Sequence, residues 1–257
     1  MNAFICAIAK NENDYIVEWV EYHLKLGFES IFICDNNNQD DDSLAELLKG
    51  YTNVYVGDAR GQTSWQMNSY NFFYSFSKHC EGITKDDYIA FIDIDEFITL
   101  NPKYKTINDY LDTVKEFDIV HLNWMTYGSN GQLTRTEGNV IDRFKEPIYP
   151  LDFKNDKYPF PHNNHVKSLV KVGLDVKFTW NPHTPYGENI KVCNADGKIV
   201  ENTPFTPYTF NNAYIRHYCT KSLEEWKNNK MSRRYATDEN FAYSLDMYYF
   251  FNKKDIF

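Results

Sequence analysis

The chain has 257 residues, enough for one sizeable domain with a real core, and its 42% hydrophobic and 25% charged content is that of a soluble globular protein. A formal charge of −9 argues against a nucleic-acid-binding surface, and no run approaches the length of a membrane-spanning helix. The five cysteines show no C-x-x-C spacing and are expected to be reduced thiols. A cytoplasmic setting follows as the expectation, with the apolar run Ala3 to Ala9 too short for a signal peptide.

Taken in order, Phe4 to Ala9 reads as a buried strand closed by Lys10-Asn11-Glu12-Asn13. Between Asp14 and Gly27 the apolar positions Ile16, Trp19, Val20, Tyr22, His23 and Leu26 recur at helical spacing, with Gly27 as the stop. Ile31 to Cys34 is a second strand leaving at Asp35, Ser43 to Lys49 a short helix, and Val54 to Val56 a third strand leaving at Asp58. Gln62 to Cys80 is a longer aromatic helix. Tyr88 to Ile92 is then the central buried strand, running out into Asp93-Ile94-Asp95-Glu96-Phe97. On an extended chain Asp93 and Asp95 share a face. Two anions held that close need a cation, and a hard divalent metal, which often brings a substrate diphosphate, is the natural one.

Strand–helix alternation predicts a parallel, helix-covered sheet whose strand C-termini share one edge, where ligands of such sheets bind. Asp35, Asp58, Asp93 and Asp95 are expected to converge there. The spacing of Asp35, Asn37, Gln39, Asp41 and Glu46 imitates a calcium loop, but Asp40 stands where the turn needs Gly and a strand precedes it.

Farther on, Ile107 to Phe117 reads as a helix and Asp118 to Leu122 as a strand running into Asn123-Trp124 and a Gly/Ser/Asn loop. That segment offers an aromatic platform for a sugar. His165 to Val172 and Ile190 to Val200 are strand-like, the latter bent at Asn194-Ala195-Asp196-Gly197, and Ala213 to Tyr218 is a last strand. Ser222-Leu223-Glu224-Glu225 is a capping box opening a helix that carries Lys227, Lys230, Arg233 and Arg234. Met247 to Phe251, followed by Lys253-Lys254, is either a terminal helix packed on the core or a peripheral membrane contact. Residues 1–236 are expected to form one domain and 237–257 a C-terminal helical extension.

One ordered set of residues resembles the family 2-like glycosyltransferases that include family 92. It comprises Lys10-Asn11-Glu12, Tyr15 to His23 with Leu26-Gly27, Asp35-Asn36, Gln66 and Asn71, and Phe91 to Phe97. It continues through Trp124 with Gly128-Ser129 and Gly131 to His217-Tyr218, Lys221-Ser222 and Glu225. The match runs from about Lys10 to Arg234. The resemblance implies a GT-A fold, an α/β Rossmann-like, mostly parallel sheet covered by helices, here with an acceptor-side hairpin region and C-terminal helices. It also implies a UDP-sugar donor with Mn²⁺ (or Mg²⁺) and inverting transfer of a hexose, galactose the first guess, to a sugar hydroxyl. The acceptor would be a glycan or glycolipid such as a surface polysaccharide or lipopolysaccharide. Asp93 would face ribose and metal, Asp35 the base, and His217, a late histidine of the pattern, would join Asp93 and Asp95 as a metal ligand.

Lys10, Asn11, Glu12, Asp58, Gln66 and Asn71 complete the expected donor site. Lys221 and Arg233 are the expected clamp on charge growing at the diphosphate, beside the Lewis acid at Asp95. Asp95, Glu96 and His183, the last in a loop suited to meet the acceptor, form the expected catalytic set. Glu137, Asp152 and Asp156 are further candidates for the general base. Three other classes share parts of this pattern. A haloacid dehalogenase-type phosphatase carries its D-x-D on the first strand, a nucleotidyltransferase needs a Gly- and Lys/Arg-rich loop absent here, and a carbohydrate-binding module leaves the carboxylates unexplained.

Overall fold

A computed structural model describes residues 1–148, 163–233 and 242–252. Its first half alternates β1 (Ala3–Ala9), α1 (Ile16–Lys25), β2 (Ser30–Asp35), α2 (Leu44–Leu47), β3 (Val54–Asp58), α3 (Gln66–Ser77) and β4 (Tyr88–Phe91). The four strands are parallel in the spatial order β3-β2-β1-β4. All seven residues of β1 are buried because both faces of the strand are covered. Alternate side chains divide between two cores. Ala3, Ile5, Ala7 and Ala9 pack with Ile16, Trp19 and Val20 of α1, while Phe4, Cys6 and Ile8 pack with Tyr70, Phe73 and Tyr74 of α3.

Helix α1 stops where its sequence says it should. Gly27 takes φ +99°, its N–H donates to Leu24 O at 3.0 Å, and the Phe28 N–H donates to His23 O at 3.2 Å, the paired bonds of a Schellman ending. Only glycine adopts that φ without strain. Helix α3 begins at Gln66, four residues after the expected start, because Ser64 has φ +50° and breaks the helical path.

Chain direction across the sheet reverses after β3. β1, β2 and β3 step outward, and the crossover through α3 returns to place β4 on the other side of β1. The gap between the ends of β1 and β4 is therefore the topological switch point of the sheet, where open α/β sheets bind ligands.

The second half adds β5 (Glu96–Leu100), α4 (Ile107–Leu111), β6 (Ile119–Thr126), α5 (Val140–Arg143), β7 (Val166–Lys171), β8 (Val192–Asn194) and β9 (Ala213–His217). The sheet continues β4-β7-β6-β9-β5, with β8 beside β6. β7 is antiparallel to β4 and β6, and β9 is parallel to β6 and antiparallel to β5. This is the α/β, mostly parallel, helix-covered sheet expected of the GT-A class. Helix α4 is shorter than the expected Ile107 to Phe117, since from Thr113 on the bonds tighten to three-residue turns. β6 is longer than expected and holds Trp124 within the strand. The bend at Gly197 is a hairpin turn, with φ +74° and Asn194 N–H donating to Lys198 O.

The Ser222 capping box forms as its sequence demands and opens α6 (Leu223–Glu225), which passes into a π-helical turn over Trp226–Lys230. Helix α7 (Leu245–Phe251) then packs Tyr248 on Trp226, and the Asn252 side chain accepts the Ser129 N–H at 2.6 Å. Tyr249 and Phe250 of α7 are exposed, and Arg234, Lys253 and Lys254 lie outside the described residues. Among the described residues no helix is long and apolar enough to cross a membrane.

Candidate active site

A cavity of about 620 Å³ opens at the switch point. The end of β1 supplies Lys10 and Glu12, and the end of β4 supplies Asp93 and Asp95. Sheet register explains which side chains meet these two aspartates. In β4 and β7, Phe91 lies opposite Ser168, which sets Lys167 beside the start of the acidic run. In β5 and β9, Glu96 lies opposite His217, and the Tyr218 N–H donates to Asp95 O at 2.8 Å, so His217 is carried to the same point.

The acidic run is not extended. β4 ends at Phe91, and a turn closed by the Glu96 N–H on Asp93 O (3.1 Å) reverses the chain into β5. The expected sharing of one strand face by Asp93 and Asp95 is therefore incorrect. The turn brings them to the same cavity but hands them different partners. Asp93 accepts from Gln66 Nε2 at 2.7 Å, Tyr70 OH at 3.2 Å and Lys167 Nζ at 2.9 Å. Asp95 accepts from Lys230 Nζ at 2.6 Å, and its Oδ1 lies 3.7 Å from His217 Nε2.

These contacts decide the charges. Burial alone would raise the Asp93 carboxyl, yet the Lys167 ammonium holds it below the ordinary value. Asp95 is likewise held well below it, its burial outweighed by Lys230, His217 and Lys221. Glu96 goes the other way, because it is fully buried and its neighbours Asp93 and Asp95 repel a third charge, so its carboxyl is pushed well above the ordinary range. Its Oε2 accepts the Asp93 N–H at 2.9 Å, and it does not line the cavity. Glu96, expected in the catalytic set, thus braces the turn from beneath and does not open on the cavity.

Burial holds both histidines of interest neutral, at about 3 for His217 and about 3 for His183. His183 Nδ1 lies 2.8 Å from the Val166 carbonyl, so that nitrogen carries the proton and Nε2 keeps its lone pair. Trp124 stacks nearly parallel on His165 (centroids 4.9 Å, 4°) and lies against His217 at 4.1 Å and His183 at 5.3 Å. The platform residue is thus a wall that fixes three imidazoles in place.

The remaining expected residues separate clearly. Lys10, Glu12, Gln66 and Arg233 line the cavity. Glu12 accepts from Arg233 Nη2 at 3.0 Å, and Arg233 also donates to the Lys10 carbonyl, which binds the late segment to the end of β1. Asn11 takes φ +57°, and its side chain donates to Ser232 Oγ. Asp35 is buried with Oδ1 on the Asn37 N–H and Oδ2 on the Leu44 N–H, so it braces the loop after β2, and its neighbour Asn36 reaches the cavity. Asp58 is an exposed partner of Arg60, Asn71 clamps the Phe178 backbone, and Lys221 lies over the Tyr15 ring at 4.2 Å and faces Glu12. None of these last three lines the cavity. Glu137 is exposed, and Asp152 and Asp156 lie outside the described residues.

Asp95 and His217 suit a divalent cation. Two ligands of one ion with bonds near 2.1 Å lie about 3 to 4 Å apart, and Oδ1 and Nε2 fall in that span while the imidazole is neutral. Asp93, with three donors on its two oxygens, is the poorer ligand of the pair. Among the described residues no three His, Cys, Asp or Glu side chains converge closely enough to hold an ion by themselves.

Residues 5–246 match the family model described as Glycosyltransferase family 92. A family 92 protein of Ricinus communis is 34% identical over 98 residues, 37% of this chain and 17% of that protein. Another, of Oryza sativa subsp. japonica, is 29% identical over 109 residues, 42% of this chain and 18% of that protein. The aligned stretches thus span under a fifth of the curated relatives. Among solved structures, S. aureus TarS 1-349 in complex with UDP superposes with a TM-score of 0.41 at 17% identity, over 70% of this chain and 50% of that one.

Proposed function

The chain belongs to glycosyltransferase family 92, and on that premise we propose that it moves a hexose, galactose first, from a UDP-sugar to a sugar hydroxyl of a glycan or glycolipid, with inversion. The observation that carries the reading is the meeting, at the switch point of the sheet, of two ionised aspartates, a neutral imidazole and Arg233 in one cavity. Asp95 and His217 would hold Mn²⁺ (or Mg²⁺), which when bound supplies a Lewis acid for the charge growing on the leaving diphosphate. Asp93, kept in place by Gln66, Tyr70 and Lys167, accepts hydrogen bonds from the ribose or the sugar. Arg233, aimed by Glu12, adds positive charge on the same side. His183 presents Nε2 to the acceptor hydroxyl. Burial that keeps this nitrogen unprotonated also makes it a weak base, so its part is to orient the hydroxyl by accepting its hydrogen bond.

The acceptor class favoured is a lipid-linked or surface polysaccharide, with exposed Tyr249 and Phe250 supporting a peripheral membrane contact. Failure to sediment with anionic vesicles at low salt would remove that contact from the reading. The function itself is tested by incubating the protein with UDP-galactose, UDP-glucose and UDP-N-acetylhexosamines, with Mn²⁺ and with EDTA, and following UDP release. Cation-dependent release from at least one donor is expected. No release from any donor, with turnover of a phosphomonoester instead, would overturn the assignment.

A further inference from the structure

Lys230 reaches Asp95 from a part of the chain 135 residues away, with Nζ 2.6 Å from Oδ2. A π-helical turn carries it there. The short, capped α6 widens over Trp226–Lys230, and Trp226, Asn229 and Lys230 all turn inward. Such widened turns are rare inside helices and are found frequently at functional sites. This one is pinned by Asn229 Nδ2 donating to the Asn11 carbonyl at 2.6 Å, so it rides on the loop at the end of β1. Lys230 lines the cavity beside the apolar surfaces of Trp226 and Met247. It differs from its neighbours in its partner. Arg233 is committed to Glu12 and the Lys10 carbonyl, and Lys167 is buried against Asp93 and Glu96. Lys230 is paired with the carboxylate that would hold the cation.

An ammonium and a divalent ion repel each other and compete for one carboxylate, whereas a diphosphate offers the ammonium a stronger anion close by. A flexible four-carbon stem lets the charge change partners without moving the helix. Building on the nucleotide-sugar reading above, we propose that Lys230 is an exchangeable counter-ion. It neutralises Asp95 while the cavity holds no nucleotide, and passes to the diphosphate when one binds, which frees Asp95 for the cation. Nucleotide and cation binding are then coupled through one side chain.

The test is calorimetric titration of the full chain and of Lys230→Met with UDP and with UMP, both in Mn²⁺, and with Mn²⁺ alone. Lys230→Met should bind UDP at least about tenfold more weakly, about 1.4 kcal/mol, and UMP within about threefold of the unaltered chain. It should bind Mn²⁺ alone at least about threefold more tightly, since the competing cation is gone. Lys230→Arg should keep most of the preference for UDP over UMP. Equal weakening of UDP and UMP, or no gain in Mn²⁺ affinity, would overturn the exchange. Should Lys230→Met not fold, Lys230→Gln removes the charge, keeps a donor to Asp95 and faces the same criteria. An unaltered chain that binds no uridine nucleotide defeats the UDP-sugar reading itself. One that binds UDP with no dependence on Lys230 defeats this proposal alone.

Discussion

Replacing Lys167 by Met should cost more than any surface change and should leave a distinctive pH signature. Its side chain is 1% exposed, with Nζ 2.9 Å from Asp93 and 3.8 Å from Glu96. At an effective dielectric of about 20 those separations correspond to attractions of about 6 and about 4 kcal/mol with ionised partners. Burial pushes the Glu96 carboxyl well above the ordinary range, which weakens its attraction for the ammonium; Asp93 is partly exposed, and burying the ammonium is itself costly. The expected net loss on truncation is therefore about 3 kcal/mol, at the low end for a broken buried pair. The sign with pH follows from the same contacts. In the native protein Lys167 keeps the Asp93 carboxyl below its unfolded value, so that stabilisation is present at neutral pH and lost as pH falls through the folded value. Without Lys167, burial and Asp95 push the carboxyl above its unfolded value, and the variant gains stability as pH falls and the proton binds. The difference between the two proteins should shrink as pH falls from neutral, and Lys167→Met/Asp93→Asn should recover much of the loss. Urea unfolding at several pH values measures this. A loss under about 1 kcal/mol, or a difference that stays constant with pH, would refute the charge assignment.

Asp95→Ala should abolish UDP release, while Asp93→Asn should retain part of it because the amide keeps an acceptor; equal losses in the release assay would contradict the division of roles. His217→Ala should weaken apparent Mn²⁺ affinity in the presence of UDP at least about tenfold, about 1.4 kcal/mol, by calorimetry. Unchanged affinity with lost transfer would move His217 to the acceptor side. His23 is buried between α1 and β5, its Nδ1–H donating to Trp19 O and its Nε2 accepting from the Ile98 N–H, and burial lowers it to about 3. The unfolded chain therefore takes up this proton first, so stability should hold above pH 6.5 and decline as pH falls toward 3. His23→Gln should remove about one proton from that slope in urea titrations.

The parallel half of the sheet was legible because its signals are local. Short apolar runs broken by polar stretches mark β1 to β4, and Gly27 and Ser222 announce a helix end and a helix start through backbone chemistry that depends on few neighbours. That the strand C-termini share one edge followed from the handedness of the crossovers, whereas the place of the cavity between β1 and β4 needed the strand order, which the structure supplies. What stayed hidden depends on register or on turns. Over Ile92 to Asp95 the apolar and acidic residues alternate as they would on an extended strand, and only Phe97, one position out of step, marks the reversal at Asp93 to Glu96. Lys167 carried a readable sign, a lysine inside the apolar run of β7, but its partner is known only once β7 is paired with β4. Asp35 and Asp58 do end strands as expected. Yet reaching the right edge does not open an oxygen to the ligand, and Asp35 spends both of its own on backbone N–H groups.

The acidic net charge of the chain and its proposed anionic donor are compatible because the site balances its own charge. Asp93 is matched by Lys167, Asp95 by Lys230 and Glu12 by Arg233, while burial pushes the Glu96 carboxyl well above the ordinary range. A site balanced in this way neither repels a diphosphate nor binds a cation tightly on its own, because each carboxylate already has a positive neighbour. It gains most when both arrive together: a cation would add charge at Asp95, and the diphosphate would take over Lys230, the cationic side chain placed to leave its carboxylate. The two aspartates of the run thereby acquire different work. Asp93 is held by three donors and is suited to positioning, whereas Asp95 has one mobile counter-ion and a facing imidazole and is suited to exchange. The turn that separates them, set by Glu96 beneath it, is thus as much a part of the candidate chemistry as either carboxylate.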